Sequence, residues 1–430
     1  MQILIDKILQ KNKKNISLII VFSLIISFCS CESKQLITYN IEPPETTAVM
    51  ETTEFSFERK IATSNVTRII TKSDRDRLLD EQIKVKIAGL DRKPVKVKGV
   101  YLPAYVAGKE EKMDEIIEHI KKTEINAVVI DVKDDIGRII FKMDGEIIKR
   151  LGTNREIQIE DMPALMKKLK DNNIYTIARI ASLRDNFAPR QNTSFALVTD
   201  DGKLYRDNTR YYWMNPYNHE VWEYLLEIGK GCIDAGFDEV QYDYCRFSTE
   251  RKMRHVVYDE DQVKNRSKIE IITEMVIYLY QGILDYGGFL SIDVFGSIIS
   301  SYGDQAALGQ DYVNLLKYSD YLSPMVYPSH YGNGYFGVEI PDKQPYDTVK
   351  KALELSTRDT TFYFDTSLHN GIVRPWLQGF TATYLPDYIN YTEKEIRDQI
   401  QAVYDSGYEE WLVWNPSGVY KWDAFKTENN

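Results

Sequence analysis

The chain has 430 residues, 43% hydrophobic and 27% charged, with a formal net charge of -10. This is globular composition rather than that of a disordered chain, and the length holds one large domain or two to three ordinary ones. The acidic balance, with no basic run in the body of the chain, argues against nucleic acid as a partner, because phosphate binding needs a concentrated basic surface.

At the N-terminus, Lys7, Lys11, Lys13 and Lys14 precede an apolar run from Ile16 to Phe28 that is too short for a comfortable membrane span. A charged stretch followed by a short apolar one has the form of a secretory signal, here over residues 1–31. It ends in "SFCSC", which resembles a relaxed bacterial lipobox with Cys31 as the lipidated residue and Cys29 as the alternative. Phe28 stands where a lipobox prefers an aliphatic residue, so cleavage by the ordinary signal peptidase is the second route. The expectation is an exported protein, held to the membrane or outer surface through a lipid anchor, or otherwise periplasmic or secreted. Residues 32–94 read as a tether and N-terminal extension. The tether, to about residue 65, is rich in Thr, Glu and Ser and has no sustained periodicity. Residues 66–92 are charged and partly helical in pattern, with no role assigned.

From Val95 a rhythm begins. The expected strands are "VKGVYLP", "INAVVIDV", "IYTIARIA", "FDEVQYDY", "FLSIDVFG", "YLSPMVY", "GIVRPWLQGF" and "EEWLVWN". Between them lie helical patterns such as "EKMDEIIEHIKK", "DMPALMKKLKDN", "HEVWEYLLEIGKGCI" and "TEKEIRDQIQAVYDSG", several opening on an N-cap and stopping at Gly or Asn. Strand then helix, eight times, predicts an α/β fold, a (β/α)8 TIM barrel over residues 95–422. A doubly wound sheet is the second choice, but no G-x-G-x-x-G follows the first strand. Cys232 falls late in a helix and Cys245 late in the next strand, which runs back the other way, so the two are expected to be free, buried thiols.

In a barrel, working side chains come from the C-terminal ends of strands. Here those ends carry Asp131, Lys133, Asp134 and Asp135, then Arg179, Arg184 and Asp185. Later strands add Asp243 and Arg246, Asp293, Tyr327 and His330, Trp376 and Gln378, and finally Trp414 and Asn415. The strand starts read as mostly apolar or ordinary turn residues. Period-two alternation turns Val128, Ile130 and Val132 outward and Asp131 and Lys133 inward; the same rule sends Asp243 and Asp293 inward. Three strands therefore aim a carboxylate at one end of one cavity, an arrangement that favours a site over an isolated ion pair.

At these residues the chain resembles a bacterial glycoside hydrolase family with a TIM-barrel fold, a domain of unknown function related to amylase-like hydrolases. The segments that carry it are "KGVYLPAY", "NAVVIDVKDDIGRI", "YTIARIASLRDN", "WMNPYNHEVWEY", "FDEVQYDYCRF", "SIDVFG", "SPMVYPSHY", "RPWLQGF" and "WLVWNPSGVY". Cys245 and Ser248 depart from the family's usual aliphatic residue and proline, "SLRD" replaces a more aromatic segment, and "TFYFDTSLHNG" is an insert. The resemblance implies hydrolysis of a polysaccharide or cell-envelope glycan by two carboxyl groups. It makes Asp243 the first choice, Asp293 its partner, and Asp131 or Asp134 the next. Arg246 and Lys133 are expected to keep a neighbouring Asp ionised. Arg179, Gln378 and Asn415 complete the substrate-binding set, with Tyr327, Trp376 and Trp414 as stacking walls and His330 as proton shuttle or hydrogen-bonding group. Tyr244, by its outward parity, is expected in the core. No His/Cys/Asp/Glu spacing makes a metal site, so no metal or cofactor is expected, and the absence of G-x-S-x-G disfavours an esterase. A non-catalytic glycan-binding surface lipoprotein is the alternative, and a metal-dependent carbohydrate deacetylase the third reading.

Overall fold

The computed structural model describes residues 72–363 and 371–426. The signal segment, Cys31 and the tether lie outside the described residues, as does most of the "TFYFDTSLHNG" insert.

Eight parallel staves close into a barrel: β1 Lys98–Leu102, β2 Ala127–Lys133, β3 Tyr175–Ala181, β4 Glu239–Asp243, β5 Phe289–Phe295, β6 Tyr321–Met325, β7 and β8 Trp411–Trp414. Stave β7 comes in two pieces. Ile372–Val373 pairs with β6, and Trp376–Gln378 pairs with β8. Pro375 sits between them, where it has no N–H to give a ladder. Closure runs through Trp376 opposite Met325 and through β8 against β1. Helices α1 Glu110–Ile120, α2 Met162–Asp171, α3 His219–Asp234, α4 Lys268–Asp285, α5 Tyr312–Lys317, α6 Pro345–Tyr363 and α7 Glu393–Asp405 follow β1 to β7 in turn. A single 3-10 turn, Trp422–Phe425, takes the eighth helix's place. Local chemistry sets the ends: α4 and α7 both start in a capping box, Ser267 with Glu270 and Thr392 with Glu395.

Alternation along the staves separates two apolar layers. Val128, Ile130, Val132, Ile292 and Val294 pack outward with the helices, while Val97, Tyr101, Val129, Tyr175, Ile177, Tyr327, Trp376 and Leu412 fill the inside. The barrel is a packed core with a polar rim at each end.

One of those rims differs from expectation, since three charged residues are buried there. Glu239 opens β4, Glu410 immediately precedes β8, and Arg374 joins the two pieces of β7. Arg374 Nε donates to Glu410 at 3.0 Å and Nη1 to Glu239 at 2.9 Å, all three buried, with the Tyr321 ring stacked 3.6 Å from the guanidinium. A single-strand reading cannot see this, because the three residues meet only when the barrel closes.

The charged extension docks from below. Helix Lys72–Ala88 buries Ile83, pairs Asp80 with Lys317 at 2.7 Å on α5, and sets Lys86 against Asp285 at the end of α4. Just after it, Arg92 grips Asp320 with two hydrogen bonds of 2.9 and 3.0 Å and donates to the Gly288 carbonyl at 2.7 Å.

Candidate active site

At the opposite rim a cleft of about 240 Å³ is lined by Arg179, Asp243, Tyr244, Arg246, Asp293, Phe295, Met325, Tyr327, His330, Trp376 and Trp414. Each comes from the C-terminal end of a stave or the residues just beyond it. Asp243 is the last residue of β4, and its carboxylate is ion-paired with Arg179 from β3 and accepts the Tyr244 N–H at 2.6 Å. Arg179 also holds Asp131 from β2 at 2.6 Å, and Asp131 accepts the Tyr101 hydroxyl at 2.5 Å. A planar guanidinium thus spans two carboxylates, a task its fork geometry suits.

Asp293 on β5 lies in a different environment. Its Oδ1 accepts the indole N–H of Trp376 at 2.8 Å, and it has no cationic partner within salt-bridge distance among the described residues. Burial, followed by the negative charge of Asp243, pushes its pKa well above the ordinary carboxylate range. Two carboxyl groups face one cleft, one beside a cation and one beside a neutral donor.

The backbone turns sharply after Asp243. Tyr244 has φ of 55°, the left-handed region that non-glycine residues rarely occupy. This moves its ring off the outward parity that predicts a core position and into the cleft wall, 6.0 Å edge-on from Trp213. Alternation holds only while the strand does, and β4 ends one residue earlier.

Lys133 departs for a similar reason. A bulge between Asp131 and Lys133 shifts the β2 register, so Asp131 sits opposite Arg179 but Lys133 opposite the outward-facing Ile180. Lys133 is buried with Asp185 at 2.8 Å and donates to the Ala181 carbonyl, away from the cleft. Arg179, not Lys133 or Arg246, is therefore the cation beside the site carboxylates. Asp134 is tied to Arg138 by a 2.8 Å hydrogen bond, and Asp135 to Arg184. Gln378 is buried in hydrogen bonds to Ser329, Asp342 and Gln399, and Asn415 donates to the Gly379 carbonyl; neither reaches the cleft lining. His330 does, edge-on to Tyr327 at 5.0 Å.

Phe295 lines the cleft from the inward face of β5, where alternation puts it, whereas Tyr101 and Trp213 fall outside the expected set. Tyr101 stacks on Trp414 at 3.8 Å and bonds Asp131; its inward place near the end of β1 was the available signal. Trp213 arrives on the long β3–α3 loop, where no periodicity points to it. Cys232 and Cys245 are free and buried, as expected; burial pushes the Cys245 thiol up to about 12. Among the described residues no cluster of three His, Cys, Asp or Glu could hold a metal ion, and no helix is long and apolar enough to cross a membrane.

A closed parallel barrel with paired carboxyl groups at its C-terminal rim is the architecture of barrel glycosidases. Residues 99–420 match a family described as "Putative glycosyl hydrolase domain", and the chain belongs to that family. It is similar to the glycoside hydrolase domain of PgaB (BpsB) from Bordetella bronchiseptica, at 12% identity and TM-score 0.54 over 76% of this chain and 95% of that one. A hypothetical protein from Ruminiclostridium thermocellum is 30% identical over 45% of this chain and 97% of its own, with TM-score 0.42. The Thermus thermophilus alpha-galactosidase matches at 11% identity and TM-score 0.46, over 84% of this chain and 65% of its own. No curated protein sequence matches.

Proposed function

We propose that this chain hydrolyses a glycosidic bond in a polysaccharide or cell-envelope glycan, with Asp293 as general acid and Asp243 as nucleophile or base. The observation that carries the reading is the contrast between the two carboxyl groups lining one cleft. Asp293, buried beside Trp376 with its pKa raised, holds a proton to give to the leaving oxygen. Asp243, paired with Arg179, carries the negative charge that attacks the anomeric carbon or takes a proton from water. As the carbon–oxygen bond breaks, the Asp293 proton passes to the departing sugar hydroxyl. Tyr327, Trp376 and Trp414 supply aromatic faces for the ring. Asp131 acts from behind as a positioning residue that fixes Arg179. The reading extends to place: the signal-like N-terminus supports export, with Cys31 as a lipid anchor and the following tether spacing the barrel from the membrane.

The test is a digestion screen of bacterial cell-wall and capsular polysaccharides, scored by new reducing ends. Asp243→Asn and Asp293→Asn should each lower release by at least about 100-fold, the usual scale of a lost acid or base, while thermal unfolding stays within a few degrees. Release by both variants at the wild-type rate overturns the assignment.

A further inference from the structure

Among the described residues, arginines whose side chains are mostly buried are paired with carboxylates, with one exception. Arg179 is paired with Asp131 and Asp243, Arg374 with Glu239 and Glu410, Arg92 with Asp320, and Arg184 with Asp135 and Asp207. Arg246 is 9% exposed and lines the cleft, yet among the described residues no carboxylate lies within salt-bridge distance of it. Its one hydrogen bond to the protein runs from Nη1 to the Phe247 carbonyl at 3.0 Å. The guanidinium is packed among three rings, 4.4 Å from Phe295 and 5.1 Å from both Trp213 and Tyr244.

A desolvated cation without an anion costs free energy that ring faces offset only in part. Phe295, Trp213 and Tyr244 hold the head group in position while leaving Nε and Nη2 without protein acceptors. Those two nitrogens make up one edge of the fork, the edge that takes a carboxylate or phosphate through paired hydrogen bonds. The neighbouring acids are already engaged, Asp243 by Arg179 and Asp293 by Trp376. Burial lowers the pKa of Arg246, and an anion arriving with the substrate would reverse that shift.

From this we infer that Arg246 is a specificity residue for an anionic substituent, a carboxylate or phosphate, on the sugar held in the cleft. The substrate is accordingly an acidic glycan. The inference rests on the glycosidase reading for the word substrate, but the anion subsite stands on geometry of its own.

The experiment measures binding of D-glucuronate, N-acetylmuramate and D-glucose 6-phosphate to the full chain by calorimetry, against D-glucose and N-acetylglucosamine, at low and high salt. At least one acidic sugar should bind ten-fold or more tightly than its neutral counterpart, and salt should erode that preference alone. Glucuronate or muramate leading identifies a carboxylate, and glucose 6-phosphate a phosphate. Arg246→Gln should bring the acidic and neutral sugars to equal affinity, and Arg246→Lys should restore part of the preference. Equal binding of acidic and neutral sugars by the wild type, or a preference that survives in Arg246→Gln, overturns the inference. Should the variants fail to fold, the wild-type comparison and its salt dependence still decide. Reducing-end release, scored separately, tells the two readings apart: turnover without acidic preference sinks this one, and acidic preference without turnover sinks the hydrolase.

Discussion

Two aspartates that look alike on neighbouring strands sit in different surroundings. Asp243 lies against a guanidinium and Asp293 against an indole N–H. The difference has a consequence for stability. The folded-state pKa of Asp293 is raised above its ordinary value of 3.8, first by burial and then by the charge of Asp243. Well below that ordinary value both folded and unfolded chains hold the proton, and the group contributes nothing to pH dependence. As pH rises, the unfolded chain releases the proton while the native state keeps it. The native state then binds more protons, and stability falls with pH until Asp293 titrates. Asp293→Asn keeps an oxygen for Trp376 and has no charge to bury. Urea unfolding across a pH series should therefore show the variant gaining on the wild type from pH about 4 upward, in the direction linkage requires. A constant difference between the two would mean that Asp293 is not held protonated.

At the scale of the element, the sequence was readable where alternation ran unbroken. Asp131, Asp243 and Asp293 face inward as period two demands, and all eight staves fall on the expected segments. It misled where the period broke. The bulge in β2 turns Lys133 outward, and the left-handed Tyr244 ends the count in β4. Neither event leaves a Gly or Pro as a local mark. The extension before the barrel was opaque for another reason: helix Lys72–Ala88 has only a thin apolar stripe, Leu79, Ile83 and Ile87, and the ion pairs that anchor it and the following Arg92 reach residues about two hundred positions away or more. Those anchors are testable. Arg92 and Asp320 are nearly buried, with side chains 7% and 6% exposed, so Arg92→Ala leaves a desolvated carboxylate. A loss of about 3 kcal/mol or more in urea unfolding is expected, on the scale of broken buried pairs. Turnover per folded molecule should not change, because Asp320 precedes β6 at the end of the barrel away from the cleft.

Across the whole molecule, charge is buried at both ends of one barrel, but in different states of completion. At the lower end the charges of Arg374, Glu239 and Glu410 are paired with one another beside the Tyr321 ring, although Arg374 Nη2 finds no acceptor. At the upper end, among the described residues, one carboxyl group lacks a cation and one guanidinium lacks an anion, and both open onto the cleft. A cluster whose charges are paired has no need of a ligand; one with an unpaired guanidinium can receive an anion. Substitutions at the two ends should therefore separate stability from chemistry. Arg374→Met strands Glu239 and Glu410 in the interior and should cost about 3–5 kcal/mol, the range for removing one partner of a buried ionic group. Adding Glu239→Gln and Glu410→Gln removes the stranded charges, and most of the loss should return, since neutral replacement of a whole buried network is often tolerated. Through this series, reducing-end release per folded molecule should hold steady, whereas Asp243→Asn should lose release and keep its fold. Unfolding curves and turnover measured on the same preparations check both halves. If Arg374→Met is harmless, the lower cluster is not what holds the staves together; if it silences turnover while the protein stays folded, the two ends are coupled through the interior layer of Tyr175, Ile177 and Trp376.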